Sequence, residues 1–264
     1  MESPSPSPLK AARLPLRFDP AGLQADLDAV GGGEWTAHFN TQFFEGDWSG
    51  IGLRVAEDAA NPMYAGTHHQ NFADAARLRD STHLRAVVES FHCPLRSVRL
   101  LKLAAGSSIR EHRDYDLGYD AGEVRIHVPV VTNPDVEFFL DNRRIVMGEG
   151  ECWYLDLNLP HRVHNRGSTD RVHLVIDCQL NDWLRSLIAR GMPEHGEESG
   201  FELFRRLVLR DASLQERLIA PTGRDAFVRL AVETGAEQGF RFTAGDVEAA
   251  IQAARRSWLE RWIA

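Results

Sequence analysis

Cysteine is scarce in this chain: Cys93, Cys152 and Cys178 are the only three in 264 residues, odd in number and far apart. That excludes a disulfide framework and a Cys-x-x-Cys metal pair, and it favours a reducing compartment. Lysine is scarcer still. The 30 basic residues are nearly all arginine, spread along the chain, and 38 acidic residues outnumber them. A net charge of −8 without a basic block argues against a general nucleic-acid binder. No stretch approaches the ~20 consecutive apolar residues that span a bilayer. The opening MESPSPSPLKAARLPL also lacks the apolar core of a signal peptide. The expectation is a cytoplasmic protein with neither a membrane nor a nucleic acid as partner.

What is present is ordinary for a globular chain that can bury a sizeable core: 43% hydrophobic and 26% charged residues. Residues 1–12, rich in Pro and Ser, read as a disordered tail. A short helix is expected at Pro20–Val30, with Leu23, Leu27 and Val30 on one face, ending at Gly31-Gly32-Gly33. Trp35–Phe39 and Gly50–Val55 read as antiparallel strands, Asn61–Asn71 (NPMYAGTHHQN) as a loop, and Leu78–Ser90 as a helix packed by Leu84, Val87 and Val88.

From Ser97 the pattern changes. Short β-like runs at 97–103, 123–131, 135–140, 144–146, 151–157 and 171–179 are separated by Gly, Pro, Asn and Asp turns. That spacing predicts a mainly β fold, a sandwich or jelly roll, over a domain at 13–190. MPEHGEESG reads as a linker, and residues 198–264 as a C-terminal domain of three or four helices. Phe201, Phe204, Leu207 and Val208 form one apolar stripe, and Phe227, Leu230 and Ala231 a second. Thr243–Asp246 resembles a capping box that opens a last helix, with Val247, Ile251, Ala254, Trp258 and Trp262 on one face.

The chemistry concentrates between Glu111 and Asp177. On a strand, residues i and i+2 face the same way, so His112 and Asp114 can reach one point. His161, in a Pro-His pair, supplies a third ligand from a distant segment. Two imidazoles and one carboxylate on one face of an octahedron leave open positions for a co-substrate and dioxygen, the pattern of non-haem iron(II) oxygenases. Arg125 and His127 alternate with Val124, Ile126 and Val128, and Arg171 and His173 alternate with Val172, Leu174 and Ile176. Arginine on a central strand is costly to bury unless it meets an anion. Its planar fork suits a carboxylate, and 2-oxoglutarate would bring one.

The runs VRLLKLAAGSSIREHRDYD, VRIHVPVVTN, GECWYLDLNLPHRV and DRVHLVIDC resemble the aspartyl/asparaginyl β-hydroxylase family of 2-oxoglutarate-dependent oxygenases. The resemblance covers about residues 95–180. It implies a double-stranded β-helix (jelly-roll, cupin-like) core with flanking helices, and it implies iron(II), 2-oxoglutarate and dioxygen. The implied reaction hydroxylates an unactivated C–H of an amino acid, free or within a peptide or natural-product precursor, and releases succinate and carbon dioxide. Residue by residue, the resemblance places metal ligands at His112, Asp114 and His161 and the co-substrate salt bridge at Arg171. It suggests His127 for a 2-oxoglutarate contact and Arg125 for a co-substrate or substrate carboxylate. Animal aspartyl β-hydroxylase lacks the carboxylate ligand; its presence here sides with the bacterial amino-acid hydroxylases.

Plainer readings stand beside these. An isolated H-x-D is weak and could be a surface pair. His164 competes with His161 as third ligand; the Pro-His motif and the ten-residue spacing to Arg171 favour His161. His173 reads as a satisfied core or supporting histidine. His68 and His69, with Trp48, Met63 and Tyr64, could line a pocket or simply pack. Cys152, facing with Tyr154 and Asp156, reads as a small buried residue. The C-terminal helices read as a buttress or a homodimer contact. They also resemble, over a short stretch, the helical leader-peptide domains of ribosomal peptide pathways, which would imply a peptide or carrier partner. A non-catalytic cupin-like binding or sensing protein is the alternative from another class. A metal-using isomerase or dioxygenase without 2-oxoglutarate is a third, disfavoured by Arg171.

Overall fold

The computed structural model describes residues 9–32, 35–57, 61, 63, 71–115, 117–194 and 197–263, with the backbone alone for Glu197, Ala253 and residues 256–263. It contains fifteen strands: β1 (Ala11–Arg17), β2 (Thr36–Ala37), β3 (Phe44–Glu45), β4 (Trp48–Ala56), β5 (Phe72–Asp74), β6 (Leu95–Leu103), β7 (Ser108–His112), β8 (Glu123–Val131), β9 (Val136–Leu140), β10 (Arg143–Ile145), β11 (Glu151–Leu155), β12 (His161–Asn165), β13 (Arg171–Gln179), β14 (Met192–Pro193) and β15 (Glu197–Glu198). Helices are α1 (Pro20–Gly31), α2 (Ala76–Asp80), α3 (His83–Glu89), α4 (Asp182–Ala189), α5 (Gly200–Val208), α6 (Ala212–Ile219), α7 (Arg224–Glu237) and α8 (Ala244–Ile263). No described helix is long and apolar enough to cross a membrane. The chain divides into two compact units, residues 1–141 with 145–196, and residues 142–144 with 197–264.

The first unit holds two antiparallel sheets. One runs β14-β1-β11-β8-β13-β6-β4-β2, with β5 on β4, and the other contains β9-β12-β7-β3. From β6 onward the chain passes from one sheet to the other and back: β6, β8, β11 and β13 lie in the first, β7, β9 and β12 in the second. That alternation is the double-stranded β-helix, so the mainly β jelly-roll expectation holds. Strand alternation then sorts the side chains. One face of the large sheet buries Val98, Leu100, Val124, Ile126, Val128, Cys152, Tyr154, Val172, Leu174 and Ile176 against α1, α3 and α4. Its other face turns inward, and there Arg99, Arg125, His127, Arg171, His173 and Asp177 are found buried or nearly so. Polar residues on the interior face of a barrel are the mark of a site.

Several boundaries differ from the sequence reading. The tail expected over 1–12 overlaps β1: Ala11 and Ala12 are buried, and β1 pairs with β11; residues 1–8 lie outside the described residues. The helix expected at 78–90 is two, α2 and α3. Ser81 turns out of the helix with its hydroxyl on the Leu78 carbonyl, and Asp26 of α1 accepts from the N–H groups of His83 and Leu84. A side chain from another element has capped α3, which no local pattern displays. The strand expected at 35–39 is only β2. Most of the 61–71 loop, with Tyr64, His68 and His69, lies outside the described residues.

Among the described residues the second unit has four helices, packed around Phe204, Leu218, Val228, Ala231 and Val247. Thr243 and Asp246 form the expected capping box, Thr243 N–H donating to Asp246 Oδ2 at 2.7 Å and Asp246 N–H to Thr243 Oγ1 at 3.3 Å. Ala254 is exposed, contrary to its assignment to the apolar face, and the side chains of Trp258 and Trp262 lie outside the described residues.

Candidate metal centre and co-substrate cradle

Strand pairing brings the two histidines together. In the β12–β7 ladder His161 lies directly opposite His112, and the rings are 4.2 Å apart between centroids. Asp114 lies just past the end of β7, not on it. The chain there is held by its own backbone: Asp114 N–H donates to the Leu157 carbonyl at 2.9 Å. The Asn158 amide, in the orientation that gives its nitrogen partners, donates to the carbonyls of Asp114 (3.0 Å) and Tyr115 (2.9 Å). The segment carrying the carboxylate is thus tied to the segment leading into His161.

Each imidazole is oriented by a carbonyl two residues before it. His112 Nδ1 is 2.8 Å from the Arg110 oxygen, and His161 Nδ1 is 3.1 Å from that of Leu159. A carbonyl only accepts, so the proton sits on Nδ1 and the Nε2 lone pair is free, which is how metal-binding histidines are prepared. Asp114 Oδ1 faces His112 Nε2 at 3.8 Å, while its Oδ2 accepts from Arg125 Nη1 at 2.7 Å. One carboxylate oxygen is therefore taken and one is presented. The three ligand atoms lie within 4.8 Å of one another, a donor set that fits a divalent transition metal on one open face.

The electrostatics agree with this division. Burial would raise the Asp114 carboxyl, but Arg125 above all, then His161, His112 and Arg99, hold it below the usual carboxylate range. Burial, assisted by neighbouring His112, lowers His161 to about 4, so it is neutral and able to ligate at ordinary pH.

Behind the triad lie two arginine environments. Arg99, Asp177 and Arg125 form one buried network: Arg99 Nη2 donates to Asp177 Oδ2 at 2.7 Å, and Arg125 Nε to Asp177 Oδ1 at 2.6 Å. Arg99 also donates to the Met63 carbonyl at 2.9 Å. Arg171 is different. It is 3% exposed and its Nη2 donates to His173 Nδ1 at 2.8 Å, but no carboxylate pairs with it among the described residues, and its Nε has no partner there. Burial alone pulls it down to about 9. A buried cation with an unused N–H is what the anchor of an incoming carboxylate should look like. The donor set thus fits 2-oxoglutarate.

These groups open on one cavity of about 440 Å³ lined by His112, Asp114, His161, Arg99, Arg125, His127 and Arg171 on its polar side. Phe43, Met63, Phe138, Leu157 and Tyr115 line its apolar side. His38 stacks between Trp48 (3.6 Å) and Phe39 (4.7 Å) to make one wall. Burial, then Arg99, lowers His38 to about 4, so this stack carries no charge near neutrality.

Of the residues singled out from sequence, His112, Asp114, His161, Arg125, His127, Arg171, Trp48 and Met63 all line this cavity. His164 does not; its ring packs by Phe139. His173 lies behind Arg171. Cys152 is fully buried beside Tyr154, with its thiol pushed up out of the usual range by burial. Arg125 differs from the expectation that it waits for a co-substrate or substrate carboxylate: Asp177 and Asp114 occupy its nitrogens. The sequence reading missed Arg99, Asp177 and His38. Arg99 and Asp177 were available to the alternation argument already applied to Arg125 and Arg171, since Arg99 sits between Val98 and Leu100, and Asp177 follows Arg171 at even spacing. His38, beyond a two-residue strand, gave no such signal.

Fold and site together define a jelly roll with a two-histidine, one-carboxylate cluster in its mouth. The chain belongs to the Aspartyl/Asparaginyl beta-hydroxylase family, whose model matches residues 24–180. It is similar to L-proline cis-4-hydroxylase of Rhizobium meliloti (strain 1021), 27% identical over 175 residues; the match covers 66% of this chain and 62% of that protein. Among solved structures it is similar to a 2OG-Fe(II) oxygenase family oxidoreductase from Burkholderia pseudomallei, 14% identical with a TM-score of 0.40, covering 60% of this chain and 79% of that one. A Pseudomonas putida prolyl-4-hydroxylase is 12% identical with a TM-score of 0.41, covering 66% and 94%.

Proposed function

We propose that this protein is an iron(II)/2-oxoglutarate-dependent hydroxylase of an amino acid, free or within a peptide or natural-product precursor. The observation that carries the reading is the shared cavity, where two histidines and one carboxylate converge beside an arginine that meets no carboxylate among the described residues. His112, Asp114 and His161 would hold the iron, and Arg171 the distal carboxylate of 2-oxoglutarate, with His127 beside it. When bound, iron, 2-oxoglutarate and dioxygen supply the oxidation of a C–H bond to an alcohol with release of succinate and carbon dioxide.

The chain's own share is orientation and exclusion of water. The Arg110 and Leu159 carbonyls aim the imidazoles. Arg125 holds Asp114 Oδ2, which turns Oδ1 toward His112 as the oxygen that would meet a metal. The stack of Trp48, His38 and Phe39, with Phe43 and Met63, gives a substrate an apolar wall, and the volume lies within the ~300–1,000 Å³ of small-molecule sites. The activity named for the Rhizobium relative supports an amino-acid substrate. A cytoplasmic location and a separate helical domain at 198–264 complete the reading.

The test is incubation with iron(II), 2-oxoglutarate and a library of free amino acids, L-proline included, and short peptides. Succinate is expected in step with a product heavier by one oxygen, and none above background from His112→Ala. Turnover unchanged in His112→Ala would sink the assignment.

A further inference from the structure

His173 lies directly behind Arg171, on the same face of β13, and is 1% exposed between β8 and β6. Its Nδ1 is 2.8 Å from Arg171 Nη2. Guanidinium nitrogens only donate, so this Nδ1 is the lone-pair nitrogen and the ring proton is on Nε2. His127 Nδ1 is 3.4 Å from the same atom, which makes it a second, weaker donor there. Burial, then Arg171, holds the His173 pKa well below 6.5, and the ring is neutral. Arg171 therefore has an acceptor for one arm and, among the described residues, no counter-charge. Arg125, on the neighbouring strand β8 and lining the same cavity, has the opposite arrangement, with carboxylates on all three nitrogens.

We propose that His173 is a positioning residue that fixes the Arg171 guanidinium while leaving its positive charge undiminished for a ligand carboxylate. A carboxylate in its place would hold the fork as well or better, but it would neutralise the cation and compete with the incoming anion. A residue without an acceptor would leave the buried fork free to turn, with one more N–H unsatisfied. A neutral acceptor avoids both. The inference rests on the reading of Arg171 as the 2-oxoglutarate anchor and gives a specific task to His173, which reads from the sequence as a core or supporting histidine.

The test is titration calorimetry of 2-oxoglutarate into the full-length protein loaded with manganese(II), which keeps turnover out of the readout. Gln and Glu have the same shape and differ in charge; Gln and Leu have similar size and differ in the acceptor. His173→Gln is expected to bind 2-oxoglutarate within about threefold of the wild type. His173→Leu should bind about tenfold more weakly, the worth of one lost hydrogen bond. His173→Glu should bind at least about thirtyfold more weakly, because the cation is then paired. Manganese affinity should stay within about twofold in all three. Should His173→Glu fail to fold, the Gln and Leu pair decides alone. Equal affinities for His173→Gln and His173→Leu, or for His173→Gln and His173→Glu, overturn the positioning role while leaving Arg171 as anchor. A wild type that binds manganese but no 2-oxoglutarate overturns the anchor reading, and the positioning role with it.

Discussion

Two arginine environments a few residues apart on the same sheet face behave in opposite ways. Arg99 and Arg125 share a fully buried carboxylate, Asp177, and Arg125 reaches on to the metal-ligand candidate Asp114. Burial would lower Arg125, but Asp177 and Asp114 overcome it and raise it above the ordinary value. Among the described residues Arg171 meets only a neutral imidazole, and burial lowers it to about 9. The first environment is closed electrostatically by the chain itself and holds a ligand in place. The second is left short of one negative charge. A fold that completes one arginine pair and leaves another arginine incomplete, in one cavity, separates scaffold from binding site.

Removing the anion from the closed environment should have the largest effect on stability. Asp177→Ala leaves two buried guanidiniums without their shared partner and should lose about 3–5 kcal/mol in urea unfolding. A loss under about 1 kcal/mol would erase the distinction. In the open environment, Arg171→Met abandons no partner charge and relieves a buried cation. Its stability should match or exceed the wild type within about 1 kcal/mol, while 2-oxoglutarate affinity falls about a hundredfold, near 2.7 kcal/mol. Arg125→Met sharpens the contrast further. It frees Asp114 Oδ2, and metal affinity should fall about tenfold, as for other supporting partners of metal ligands, whereas Arg171→Met should leave it unchanged.

Acid should loosen both environments. His38 and His161 are lowered to about 4, and His127 and His173 well below 6.5, so between those values and the unfolded value near 6.5 the unfolded chain binds more protons than the folded one. Stability of the metal-free protein should therefore be full above pH ~6.5 and decline as the pH falls toward 4. Protonation of Asp114, whose pKa is depressed, adds to the loss at still lower pH. A flat melting temperature from pH 7.5 to 5 would contradict the neutral, buried state of these rings. The smallest effect belongs to His164→Ala, which lies outside the cavity and should change metal affinity by less than about twofold.

Much of this was legible in the sequence because strand alternation is a strong signal. It placed Arg125 with His127 and Arg171 with His173 on the interior face, and both long strands, Glu123–Val131 and Arg171–Gln179, have the expected limits. The strands that carry His112 and His161 were not assigned as strands, because REH and HRVHN are too polar to show a buried face. His112 was joined to Asp114 by the i, i+2 alternation of a strand, and His161 was found by its Pro-His pair and its spacing to Arg171. The occupancy of Arg125 was not legible at all. Which carboxylate meets which guanidinium depends on three-dimensional pairing between β8, β13 and the turn after β7, and spacing along the chain does not encode it. The break between α2 and α3 was hidden for the same reason, since its cap comes from Asp26.

The most direct test of the central claim is an anaerobic titration of the protein with iron(II) and 2-oxoglutarate, followed by visible absorption. A chain that holds iron through His112, Asp114 and His161 and anchors 2-oxoglutarate at Arg171 should develop a weak metal-to-ligand charge-transfer band that saturates with one 2-oxoglutarate per protein, and His112→Ala and Arg171→Met should each lose it at the same concentrations. Tight iron binding with no such band in the wild type, or a band that survives both substitutions, would contradict the account.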